Sequence, residues 1–165
     1  MNSVNGRQDV TTVRRLPSTQ QKEIALSVQQ LTIRPFRPDD EDAVIELWHR
    51  CKLVVPWNDP HEDIATKLAF QPELFFVGAV DGKVIASVMV GYEGHRGWIN
   101  YLAVDPDYQR QGIGRQMMAK AEAVLCDMGC PKINLQIRES NTGVIQFYEK
   151  IGFSSDHVIG FGKRL

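Results

Sequence analysis

The chain has 165 residues, of which 43% are hydrophobic and 24% charged, with a net charge of −1 at pH 7. That length fits one domain with a real core, and that charge supplies no broad pull toward nucleic acid or an anionic membrane. No apolar run approaches the roughly 20 residues of a membrane span, and Met1 to Val10 carry neither the basic nor the apolar region of a secretion signal, so a cytoplasmic location is expected.

Residues 1–29 are rich in Asn, Gln, Ser and Thr and are interrupted by Pro17. Apart from the small apolar patch Ile24, Leu26 and Val28, they read as a flexible N-terminal extension. The domain is assigned to residues 30–165. Leu31 to Arg34 alternates as a strand and is stopped by Pro35 and Pro38. Asp39 and Asp40 stand where an N-cap belongs, ahead of Ala43, Val44, Leu47, Trp48 and Cys51 at helical spacing. A break at Pro56-Trp57-Asn58-Asp59-Pro60 precedes a short helix over Glu62 to Phe70. Leu74 to Val80 and Val84 to Tyr92 read as strands joined by the hairpin signal Asp81-Gly82. Trp98 to Val104 is a further strand, ending at Asp105-Pro106.

Beyond it, Ile113, Met117, Ala121, Val124, Leu125 and Met128 mark the apolar face of a helix closed by Gly129 and Pro131. Lys132 to Arg138 alternates as a strand. Asn141 opens a last helix that Gly152 ends, and His157 to Leu165 is expected to form an edge strand. The order of elements makes this a mixed α/β domain.

Cys51, Cys126 and Cys130 are too few for a disulfide framework. His61-Glu62 begins like a zinc-protease motif, but Ala65 occupies the position of the second histidine, so no metal site is read.

The segment from Asp105 to Arg115 carries the most chemistry. A strand ends, and a helix starts at glycines a few residues later. The first N–H groups of a helix lack internal partners, and its dipole puts partial positive charge there. Gly112 and Gly114 allow the backbone a tight turn and a close approach to an anion, with Arg110 and Arg115 adding cationic reach. A diphosphate suits such a site, although a plain tight turn has the same look. The third glycine of a dinucleotide fingerprint is absent, since Met117 stands there. A P-loop is also absent, because Arg115-Gln116 follows Gly114.

Gln109-Arg110-Gln111-Gly112-Ile113-Gly114 resembles the central motif of the GNAT superfamily of N-acetyltransferases, and Asn141 to Phe153 resembles that family's closing helix. Within it, Trp57-Asn58-Asp59-Pro60, Gly91 to Gly97 and Gly129 to Ile133 are similar to the bacterial YpeA-type subgroup. The resemblance implies a GNAT fold: a mostly antiparallel sheet with splayed central strands, flanked by helices. It implies acetyl-CoA as co-substrate and direct transfer to an amine, small molecule or protein, in a ternary complex. Neither a nucleic acid nor a membrane is an expected partner. A homodimer through the last strands is common in the family. The alternative is a non-catalytic CoA-binding module of the same fold.

By the same resemblance, Leu102, Ala103 and Val104 offer their backbone to pantetheine, with a backbone N–H near Ala103 as oxyanion donor. Gln109, Arg110, Gln111, Gly112, Ile113, Gly114 and Arg115 form the diphosphate turn, in which Gln109 fixes the loop. Asn141 caps its helix and contacts the pantetheine arm. Tyr148 is the family tyrosine near the cofactor sulfur, a neutral phenol that serves the departing thiolate. Many members place a Glu on the central strand, but Trp98-Ile99-Asn100-Tyr101-Leu102 has no carboxylate. Glu93, His95 and Glu139 are the candidate bases, and the absence of a dedicated base stays open. Trp57, Asn58 and Tyr92 are expected to line the acceptor pocket, a role that competes with an ordinary turn.

Overall fold

The computed structural model describes residues 30–163, so the patch at Ile24, Leu26 and Val28 lies outside the described residues. Five strands and four helices follow one another: β1 (Thr32–Pro35), α1 (Glu41–Arg50), α2 (Pro60–Ala69), β2 (Phe75–Val80), β3 (Lys83–Tyr92), β4 (Gly97–Val104), α3 (Ile113–Asp127), β5 (Ile133–Asn134) and α4 (Thr142–Lys150). The strands lie side by side in chain order, antiparallel up to β4 and parallel between β4 and β5. A parallel pair needs a long crossover, and α3 supplies it.

Local chemistry explains the element ends. Asp81 (φ +50°) and Gly82 (φ +82°) are both left-handed, as a two-residue hairpin turn with the twist of its strands requires. Pro60 is the first residue of α2, and the Asp59 carboxylate accepts the N–H of His61 at 2.9 Å. At the end of α3, Gly129 donates to the carbonyl of Cys126 and Cys130 to that of Leu125, both at 2.9 Å, with Gly129 at φ +74°.

The central strands are covered on both faces. On one face α3 and α4 close over Ile85, Val88, Val90 and Ile99 with Met117, Leu125 and Tyr148. On the other, α1 and α2 bury Trp48 and Ile64 against Phe75, Val77 and Met89. Burial on both sides accounts for the unbroken apolar run of β2.

Three expectations are corrected and one is sharpened. Asp40 is the N-cap residue of α1, but its side chain accepts no bond from the helix. Its carboxylate instead takes both Arg34 Nη atoms at 2.7 Å and the N–H of Arg37 at 2.8 Å, so it ties β1 to the helix entry. Met128 is 42% exposed because α3 ends one residue before it, whereas the unassigned Met118 is fully buried. The strand over Lys132 to Arg138 shrinks to Ile133–Asn134, since the chain leaves β4 after Asn134. The edge strand from His157 does not form among the described residues. Gly160 runs beside the Gln136 side chain, but no ladder closes, and Val158, Ile159 and Phe161 stay exposed. With only two residues in β5, the sheet offers that tail too short an edge to template a strand.

Candidate active site

The site is built around a fault in β4. Opposite Met89 lies Asn100, and opposite Ser87 lies Ala103, so two steps on β3 face three on β4. The extra residue makes a β-bulge. Tyr101 sits in it with φ +50°, a conformation an L-residue adopts at a cost of about 1 kcal/mol or more. Three contacts hold it there. The Trp48 ring stacks on the Tyr101 ring with centroids 4.0 Å apart. Trp48 Nε1 donates to Ser87 Oγ at 2.9 Å, and Ser87 Oγ donates to the Tyr101 carbonyl at 3.0 Å. The Tyr101 hydroxyl donates to the Asp63 carboxylate. Burial, and after it this bond to Asp63, pushes the Tyr101 phenol pKa up.

On its other side β4 meets β5 only at Gly97–Ile133 and Trp98–Asn134. From Ile99 to Val104 that edge faces no strand among the described residues, so the central strands part from one another. At the point of parting, Asn134 Oδ1 is buried without a hydrogen-bond partner. An acceptor enclosed in this way is costly unless something donates to it.

The turn after β4 is braced from below. Asp105 is 2% exposed and binds Arg50, while its Oδ1 accepts the N–H of Asp107 at 3.0 Å. Gln109 Nε2 donates to the Val104 carbonyl at 3.0 Å, and Cys51 Sγ donates to it at 3.3 Å, so Gln109 fixes the turn and that carbonyl is occupied. Arg110 (φ +65°) and Gly112 (φ +80°) are left-handed. The first helical bond across the start of α3 runs from Gln116 N–H to the Gly112 carbonyl, at 3.1 Å. Among the described residues the N–H groups from Gln109 to Arg115 find no backbone acceptor, leaving a row of donors at a helix N-terminus. Arg110 and Gln111 are exposed there, whereas the Ile113 side chain is buried in the core and offers only its backbone.

The two glycines divide the work differently from what their spacing suggests. A Cβ on Gly112 would touch nothing within 4 Å, so backbone conformation requires that glycine. A Cβ on Gly114 would stand 3.2 Å from the Phe147 ring, so that glycine lets α3 and α4 pack closely. Beside them an open depression of about 400 Å³ is lined by Arg115, Met118, Glu122 and Lys150.

Asn141 caps α4 through Oδ1, which accepts the N–H of Val144 at a long 3.4 Å. Tyr148 is buried between Phe147 and Phe153, both edge-on to its ring. Its hydroxyl makes no hydrogen bond among the described residues, and burial pushes its pKa up to about 12.

The candidate bases lie apart from one another. Glu93 closes the β3–β4 loop: its carboxylate accepts the N–H groups of Arg96 (2.8 Å) and His95 (3.2 Å), which lower its pKa, Arg96 foremost. His95 in the same loop and Glu139 before α4 are exposed. Tyr92 is pinned by Gln71, which bonds its N–H at 3.0 Å and its carbonyl at 2.7 Å, and its hydroxyl donates to Gly94 at 3.3 Å. Trp57 and Asn58 are exposed in the α1–α2 loop. Asp63, Ser87, Tyr101 and Asn134 went unassigned in the sequence, where nothing in their spacing links them to one another.

Comparison with known proteins adds a second line of support. The model of the acetyltransferase (GNAT) family matches residues 41–153. A curated acetyltransferase of Pectobacterium atrosepticum is 49% identical over 135 residues, covering 82% of this chain and 96% of its own. One from Sodalis glossinidius is 49% identical over 136 residues with the same coverage. Among solved structures, the ribosomal-protein-S18-alanine N-acetyltransferase of Escherichia coli superposes with a TM-score of 0.64 at 28% identity, over 76% of this chain and 78% of that one. The PaiA N-acetyltransferase of Thermoplasma acidophilum, solved with coenzyme A, superposes at 0.68 and 17% identity, over 79% of this chain and 94% of its own, a likeness of fold alone.

Proposed function

The chain belongs to the acetyltransferase (GNAT) family, and from that premise we propose that it moves an acetyl group from acetyl-coenzyme A directly to an amine, with both substrates bound at once. The observation that carries this reading is the row of unpaired N–H groups from Gln109 to Arg115, next to an open edge of β4. A diphosphate satisfies the row, and the helix dipole of α3 favours its charge. Arg115 and Lys150 supply cations in the adjoining depression for the nucleotide end. The free edge of β4 at Leu102 and Ala103 can pair with the pantetheine amides as a fifth strand neighbour would. Asn134 Oδ1 is well disposed to accept an N–H from that arm, and the Asn141 side chain stands at the entrance to α4.

The N–H groups around the bulge then face the thioester carbonyl and stabilise its oxyanion. The neutral amine adds to the carbonyl, and as the tetrahedral intermediate collapses the C–S bond breaks and the Tyr148 hydroxyl passes its proton to the leaving thiolate; the nitrogen sheds one proton to solvent, from which the phenol regains its own. With its carboxylate held by two N–H groups and its pKa lowered, Glu93 is poorly suited to act as a base.

Thiol release from acetyl-CoA across a panel of primary amines, measured beside thermal stabilisation by CoA, tests the reading. Both stabilisation and turnover on at least one amine are expected. Stabilisation with no turnover on any amine would favour a CoA-binding module instead.

A further inference from the structure

Four carboxylates among the described residues are withdrawn from solvent: Asp40, Glu41, Asp63 and Asp105. Three of them pair with a basic side chain. Arg34 pairs with Asp40, His61 with Glu41, and Arg50 with Asp105. Asp63 has none among the described residues. Oδ2 takes the Tyr101 hydroxyl, and among the described residues Oδ1 takes no hydrogen bond. A partly buried carboxylate ordinarily needs a cation or several donors to offset its lost hydration.

Its position gives the vacancy a meaning. Asp63 projects from the first turns of α2 onto Tyr101, in the bulge of β4 and two residues from Ala103. That is the α1–α2 face of the sheet, opposite the one covered by α3 and α4. The phenol holds the carboxylate through Oδ2 and leaves Oδ1 open among the described residues.

We propose that Asp63, held by Tyr101, is the acceptor-binding carboxylate of this enzyme and takes the ammonium group of a primary amine. A metal ion fits the site poorly: one carboxylate and a phenol fall short of its ligand needs, and no cluster of three or more His, Cys, Asp or Glu occurs among the described residues. The assignment rests on the acetyl-transfer reading. It supplies the carboxylate that the β4 sequence itself lacks, from an element 38 residues away.

Calorimetry on the full chain saturated with CoA tests the site with defined probes: ethanolamine, phenethylamine, lysine amide and an alanine-leading tetrapeptide, with 2-phenylethanol as the neutral control. At least one amine is expected to bind, the alcohol at least tenfold more weakly than phenethylamine. Asp63→Asn, which keeps the shape, should weaken that amine about tenfold or more and raise its KM while leaving CoA affinity unchanged. Asp63→Glu should recover part of the loss. Unchanged amine affinity in a folded Asp63→Asn protein would overturn the proposal, as would failure of all four amines to bind a wild-type protein that binds CoA. Failure of the wild type to bind CoA would strike the acetyl-transfer reading, and the Asp63 assignment with it.

Discussion

Tyr148 is one of three residues here whose position decides what they do. Its phenol, raised to about 12 by burial, stays protonated across the range in which an amine acceptor loses its charge. Tyr148→Phe is expected to lower kcat about 100-fold while KM for acetyl-CoA moves less than twofold. Because the folded pKa is raised, the wild-type rate should show no alkaline fall from this group below about pH 11. A Phe variant with wild-type kcat would remove the tyrosine from the chemistry. Tyr148 was legible in the sequence because Phe147 to Phe153 is a contiguous pattern. Asp63 was not, since only the fold brings it to Tyr101. Glu93 was legible as a carboxylate near the site, but the N–H groups that occupy it depend on the path of one loop.

Among the elements, β4 does the most to shape the site, and one of the three contacts that hold its bulge is a buried hydroxyl. Ser87 Oγ links the Trp48 indole N–H to the Tyr101 carbonyl. Ser87→Ala strands both groups in a fully buried place and is expected to cost about 2 kcal/mol of stability. The bulge should relax with it, so kcat should fall by more than acetyl-CoA affinity does. Denaturant unfolding beside steady-state kinetics checks this, and a destabilised variant with unaltered kcat would separate the bulge from catalysis. Strands and helices with strong local signals were legible, among them the Asp81-Gly82 turn and Gly129 closing α3, whereas Pro60 was read as part of a turn and proves to be the first residue of α2. The bulge left no such trace, because Tyr101 takes a left-handed conformation through its neighbours and not through its own preference. Alternation also misread Lys132 to Arg138 and the tail after His157. Period-two spacing marks a chain able to form a strand, yet a ladder needs a partner, and β5 parts from β4 after two residues.

At the scale of the whole molecule, one sheet separates two chemistries. On the α3–α4 side lie the row of free N–H groups, Arg110, Arg115 and Lys150. On the α1–α2 side lie Asp63 and the acidic start of α2, Glu62 beside it. In the proposed reaction an anionic donor and an amine acceptor would thus approach the β4 bulge from opposite faces, an arrangement compatible with both being bound at once. The sequence disclosed the first side through its glycine turn and was silent on the second, since acceptor-facing groups are gathered from separate loops.

The proposed CoA site depends most directly on the turn at Gly112. With φ +80° and empty space where a Cβ would go, Gly112→Val should cost about 1–2 kcal/mol of stability and leave the fold intact. The bend that aligns the N–H row should be lost. Calorimetric titration of CoA into the wild type and this variant, each shown folded by circular dichroism, measures the consequence. The account expects CoA to bind the variant at least about 30-fold more weakly, equivalent to the loss of about 2 kcal/mol of charged hydrogen bonding. A folded Gly112→Val protein that binds CoA as tightly as the wild type would contradict it.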